Sequence, residues 1–102
     1  MAPLYPCPCC GYLTFPRFGS YDVCPICNWE DDIAQLRFPD VVGANRVSLI
    51  SAQRNYAQFG VSNESAKSRV RPALPTDARD AAWRPIDLAV DEFEHLGGRR
   101  TP

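Results

Sequence analysis

Two tetrapeptides constrain this chain more than any other feature. Cys7-Pro8-Cys9-Cys10 and Cys24-Pro25-Ile26-Cys27 are both Cys-Pro-x-Cys turns, with thirteen residues between Cys10 and Cys24. A two-residue gap lets the backbone fold back so that both thiolates of a turn face one point. Proline presets φ in each turn, and Gly11 tolerates the positive φ that leaves the first. Two such turns present four thiolates to one ion. Four protein ligands leave no open position for a substrate, so the expected site is structural, with Cys7, Cys10, Cys24 and Cys27 as the metal ligands. Tetrahedral zinc, a single ion, is the expected occupant. Iron held by the same four thiolates, as in rubredoxins, is the rival that spacing does not separate from it.

All five cysteines lie between Cys7 and Cys27. The odd count, the adjacent pair Cys9-Cys10 and the lack of an export signal in Met1 to Cys7 argue against a disulfide framework and for a reducing, cytosolic compartment. A thioredoxin-like role would need one such turn opening a helix in a larger α/β body. Cys9, third in its turn, is expected to point away from the ion as an exposed or partly packed thiol. The sharper readings make it a redox sensor or an alternate ligand in place of Cys7, and the latter forces two neighbouring residues onto one ion.

At 102 residues the chain is read as one domain, a small α+β fold. Residues 5–32 form a zinc ribbon, 33–60 a connector and central helix, and 61–102 a C-terminal wrap and terminal helix. Between the turns, Tyr12 to Phe15 suits a strand, Pro16 to Ser20 a turn, and Tyr21 to Val23 the returning strand, making a two-stranded ribbon. Pro39 and Gly43 mark the connector as a loop with at most one helical turn. Leu49, Ala52, Tyr56 and Phe59 recur at helical spacing, with Gln53, Arg54, Asn55 and Gln58 off that stripe; Ser48 is the natural N-cap and Gly60 the left-handed stop. Ser62 to Ser68 reads as a short helix capped by Ser62. Pro85, Ile86, Ala89, Val90, Phe93 and Leu96 predict a second amphipathic helix ended by Gly97-Gly98, before a frayed Arg99 to Pro102. A ribbon this short buries too little apolar surface to fold alone, so metal binding and folding should be coupled. The aromatic residues Tyr12, Phe15, Phe18, Tyr21 and Trp29 are expected to join ribbon and helix in one core, with Trp29 shielding the sulfurs.

Eleven Lys and Arg against twelve Asp and Glu supply no global field for a polyanion. No run is long enough for a membrane span. Glu30-Asp31-Asp32 reads as a solvated loop or a first helical turn rather than a contact patch. Lys67 to Arg84 is basic but offers one aromatic, Trp83, and no stacking platform for single strands. His95 suits a helix C-terminus, and Asn45 orients the chain before the central helix. No nucleophile, open metal position or activating partner can be named, so the chain is read as non-catalytic. The expected function is a zinc-binding protein-interaction module, in one version immunity- or antitoxin-like. A nucleic-acid-binding zinc ribbon and a rubredoxin-like electron carrier are the alternatives.

Tyr5-Pro6-Cys7-Pro8-Cys9-Cys10-Gly11-Tyr12, then Gly19 to Asp32 with its Cys-Pro-Ile-Cys-Asn-Trp core, resemble the bacterial cysteine-rich CPCC family. Gly43-Ala44-Asn45-Arg46-Val47-Ser48-Leu49 extends the likeness, which continues through Asn55-Tyr56, Phe59-Gly60 and Val70-Arg71-Pro72 to Trp83-Arg84-Pro85. Residues from Ile86 onward read as an addition. The resemblance implies a small zinc-ribbon-like bacterial protein of poorly defined biochemical role.

Overall fold

The cysteine turns set the local architecture of the computed structural model, which describes residues 4–93. Both turns repeat one hydrogen-bond pattern. Cys7 N–H donates to the Tyr12 carbonyl and Gly11 N–H to that of Cys7; seventeen residues on, Cys24 N–H donates to Trp29 and Asn28 N–H to Cys24, all at 2.8 Å. Gly11 and Asn28, each following the second cysteine of its turn, are left-handed, with φ of 81° and 69°. Glycine takes that conformation freely and asparagine tolerates it.

The strands belong to the turns rather than joining them. β1 (Tyr5–Pro6) and β2 (Leu13–Phe15) flank the first turn and pair antiparallel, Tyr5 opposite Phe15 and Pro6 opposite Leu13 across a bulge. The second turn closes on an isolated bridge between Val23 and Glu30. The expected pairing of Tyr12 to Phe15 with Tyr21 to Val23 is therefore replaced. A turn closed by a hydrogen bond from the N–H of its first cysteine already brings its own flanks together, at a smaller loop-closure cost than pairing across both turns. Tyr21 also takes a φ of 60°, which no strand accommodates.

Helix α1 (Ile33–Arg37) supplies the single helical turn expected in the connector, and the Asp32 carboxylate caps it by accepting from Ala34 N–H. Helix α2 (Leu49–Phe59) begins and ends as the sequence predicts. Ser48 Oγ accepts from Ser51 N–H, and Gly60 is left-handed with its N–H on the Tyr56 carbonyl. Its inward face differs in one residue. Gln53 is buried beside Leu49 and Ala52 instead of lying off the stripe, because its amide is fully used: Nε2 donates to the Pro8 carbonyl and Oε1 accepts from Ile86 N–H. The polar run forms a 3-10 helix, Glu64–Arg69, capped by Asn63 rather than Ser62. Ser62 is buried, with its N–H on the Cys27 carbonyl.

The core is built on sulfur and two large rings. Cys7, Cys9, Cys10, Cys24, Cys27, Phe15, Ile26, Trp29, Leu49 and Ala52 form one buried cluster. Phe18 and Tyr21 stay outside it, 52% and 54% exposed, which corrects their assignment to the core. Asp31 is buried rather than solvated, its Oδ2 accepting from the N–H and hydroxyl of Ser20. A second polar knot lies under α1. Gln35 donates to the carbonyls of Val41 and Val47 and accepts from the backbone and side chain of Asn45, whose amide also brackets both backbone groups of Glu30. Asn45 thus ties the second cysteine turn to the loop that precedes α2.

The chain beyond the 3-10 helix is irregular but attached. Leu13 N–H donates to the Ala78 carbonyl, Tyr12 bridges Arg79, and Asp80 N–H donates to the Gly11 carbonyl. The helix predicted from Pro85 is absent over residues 85–93, where a turn spans 88–90. Competing side-chain bonds explain this: Asp91 accepts from Arg84 and from Asp87 N–H, and Asp87 Oδ1 accepts from Ala89 N–H, turning the backbone on itself. Leu96, His95 and the closing Arg99 to Pro102 lie outside the described residues.

Candidate metal centre

Each turn aims two sulfurs at the same point. Sγ atoms of Cys7, Cys10, Cys24 and Cys27 all lie within 4.8 Å of one another, and all four residues are buried. Cys7 and Cys27 approach to 3.6 Å and Cys10 and Cys24 to 3.8 Å, too far for disulfides, and all five thiols are free. A tetrahedral ion with metal–sulfur bonds of about 2.3 Å separates neighbouring sulfurs by about 3.8 Å. The cluster therefore fits one tetrahedral thiolate-bound ion, and the four cysteines are placed to hold it.

The electrostatics of the bare cluster call for a cation. Burial, with the adjoining thiols of Cys10 and Cys24, pushes the Cys7 thiol well up. The Cys27 thiol is also driven up, by contacts with Cys10 foremost and then Cys24, Cys7 and Cys9. The Cys24 thiol is pulled down because it accepts from Cys10, Cys27 and Cys7, with the Thr14 hydroxyl adding a bond at 3.5 Å. Without a metal, the cluster favours the charged form at Cys24 over Cys7 and Cys27. A divalent ion reverses that balance and discharges the protons.

The surroundings come from distant parts of the chain. Pro8 accepts from Gln53 Nε2 at 3.0 Å and from the indole N–H of Trp83 at 3.1 Å. Arg79 Nε donates to the Cys10 carbonyl at 2.9 Å, and its guanidinium lies 5.1 Å from the Tyr12 ring centroid and 5.0 Å from that of Trp83. Both contacts are cation–π in geometry. Next to this cover, burial pushes the Tyr56 hydroxyl up to about 12. On the other turn, Trp29 is buried in the sulfur cluster, as its expected shielding role requires.

Cys9 departs from its expected place. It is completely buried, its thiol lies beside Cys27, and it stands outside the group of four. Cys9 is packed into the same buried cluster as the four ligand cysteines, with Phe15, Ile26 and Trp29. Gln53, Arg79 and Trp83 are the neighbours the sequence did not reveal. Gln53 carried a weak signal, as one polar residue adjacent to the apolar stripe of α2. Arg79 and Trp83 carried none, since their role depends on a contact spanning about seventy residues.

No curated protein matches the chain. The cysteine-rich CPCC family matches residues 5–77. That region contains both turns, α1, α2 and the 3-10 helix, and it stops before Arg79, Trp83 and the Trp83-Arg84-Pro85 segment to which the likeness was extended from sequence. With most of its length matched and all four clustered cysteines inside the match, the chain belongs to the cysteine-rich CPCC family.

Proposed function

We propose that this chain is a small non-catalytic zinc-binding protein whose four-cysteine site is structural, and that it works by binding a protein partner. The carrying observation is the convergence of four buried sulfurs within 4.8 Å. An ion enclosed by four protein thiolates has no position for a substrate, and zinc in such a site holds the fold without redox change. Zinc-dependent folding is supported by the make-up of the core, in which five of the ten clustered residues are cysteines. Elemental analysis of protein purified without added metal should return one zinc per chain. Chelation should abolish the cooperative melting transition, and an unchanged melting curve after complete metal loss would remove the structural role. A visible absorption band from ferric thiolate would favour the electron-carrier reading instead.

Support for a protein partner comes from an exposed aromatic pair. The rings of Tyr5 and Phe18 meet edge to face, centroids 4.6 Å apart, with both side chains open to solvent. Exposed aromatics backed by a rigid frame are characteristic of the centres of protein interfaces. An immunity- or antitoxin-like role is one concrete form of this reading. Capture of a defined partner should weaken at least about tenfold in Tyr5→Ala and Phe18→Ala, as hot-spot truncation does. Salt-sensitive retention of nucleic acid, unaffected by those substitutions, would overturn it in favour of a nucleic-acid-binding zinc ribbon. Among the described residues no helix is long and apolar enough to cross a membrane.

A further inference from the structure

On the far side of the second cysteine turn lies a cavity of about 400 Å³, lined in part by Asn28, Glu30, Asn45, Arg46, Ser62 and Arg69. Its walls are fixed. Asn45 accepts from Glu30 N–H at 2.6 Å and donates to the Glu30 carbonyl and Gln35 Oε1, both at 2.9 Å. Ser62 is held by its N–H on the Cys27 carbonyl and by Asn55 Nδ2 on its own carbonyl, each at 2.8 Å. Asn28 and Arg46 are two of the three non-glycine residues with positive φ, at 69° and 62°. Asn28 takes that conformation as the exit of the second cysteine turn, so of the two Arg46 alone holds it outside a cysteine turn.

Three charged side chains of this cavity are unused by the fold. Among the described residues the guanidinium groups of Arg46 and Arg69 and the carboxylate of Glu30 enter no ion pair or hydrogen bond. Ser62, 2% exposed, stands on the wall of the same cavity. Two cations and one anion around a cavity of ligand size, with Ser62 on its wall, define a complementary guest.

We propose that this cavity binds a small ligand carrying an oxyanion, phosphate or carboxylate, together with a hydrogen-bond donor. Arg46, Arg69 and the Ser62 hydroxyl bind the oxyanion by charge-assisted bonds, while Glu30 receives the donor. Glu30 repels a bare anion, so an ammonium or hydroxyl on the same molecule raises affinity.

The test is a titration of the full, metal-loaded chain followed by amide NMR shifts of Asn28, Arg46, Ser62 and Arg69. The probes are O-phosphoethanolamine, inorganic phosphate and serine. Saturable shifts are expected with a donor-bearing probe; phosphoethanolamine binding above serine identifies phosphate, and the reverse order identifies carboxylate. O-phosphoethanolamine should also bind more tightly than inorganic phosphate. Arg46→Gln and Arg69→Gln should each weaken binding about tenfold or more without lowering the melting temperature, since neither side chain is used by the fold. Glu30→Gln should strengthen inorganic phosphate and weaken phosphoethanolamine. Absence of saturation with both donor-bearing probes, or binding that survives both arginine substitutions, overturns the proposal.

Discussion

The indole of Trp83 lies so close to Gly11 that a Cβ at Gly11 would stand 2.5 Å from Cδ2 and 2.6 Å from Cε3 of the ring. Residue 83 thereby covers the exit of the first cysteine turn, beyond the reach of the family match. Gly11 answers two demands at once: a φ of 81° and the absence of a side chain beneath the ring.

Gly11→Ala should accordingly be among the most damaging single changes outside the cysteines. Left-handed strain and forced displacement of Trp83 together should cost about 2–4 kcal/mol. Denaturant unfolding of the metal-loaded protein measures this. In a Trp83→Ala background the clash disappears and only the backbone strain is left, so the two changes should be less than additive.

Trp83→Ala should also speed metal loss. The substitution removes the indole bond to the Pro8 carbonyl and one face of the Arg79 stack. Loss of about 1–2 kcal/mol of cover corresponds to release into a colorimetric chelator about tenfold faster. Arg79→Gln, which loses the charge beside the Cys10 carbonyl, should move in the same direction. Unchanged release in both variants would show that the cover does not limit escape.

The five cysteines should divide into four and one. Cys7→Ser, Cys10→Ser, Cys24→Ser and Cys27→Ser should each lose stoichiometric metal after dialysis. Cys9→Ala should retain one ion per chain, because Cys9 stands outside the group of four sulfurs. Its cost should appear as stability alone, about 1–2 kcal/mol from the small void left in the core. Metal content and melting temperature together separate the two classes.

Metal affinity should rise steeply with pH. Cys7 and Cys27 are held above the ordinary thiol range in the metal-free cluster, so both carry protons at neutral pH and release them on binding. The protons displaced from these two alone imply an apparent affinity at least about a hundredfold higher per pH unit through the neutral range. Folding stability that depends on the metal is thus present at neutral and higher pH and is lost as acid returns protons to the sulfurs. Competition against a chelator of known proton linkage, between mildly acidic and mildly basic pH, reads the slope.

Much of the fold was legible where the determining interactions are local. Cys-Pro-x-Cys spacing identified the four sulfurs that meet, and Ser48 and Gly60 bounded α2, because turns and caps are decided within a few residues. Local reasoning failed wherever a competing partner lay elsewhere. The strand of Leu13–Phe15 pairs with Tyr5–Pro6 instead of Tyr21 to Val23. The apolar period after Pro85 does not become a helix over residues 85–93, where aspartate side chains capture the backbone amides.

The amino-acid sequence by itself determined that four thiolates would be delivered in two turns and that one capped amphipathic helix would follow. The tertiary structure alone decided what surrounds them: Cys9 folded inward, Gln53 and Trp83 bonded to one carbonyl of Pro8, and Arg79 lodged between two rings. Such contacts join residues 45 to 75 positions apart. They depend on which surfaces remain unsatisfied once the turns have closed, and no periodicity or spacing along the chain encodes that remainder.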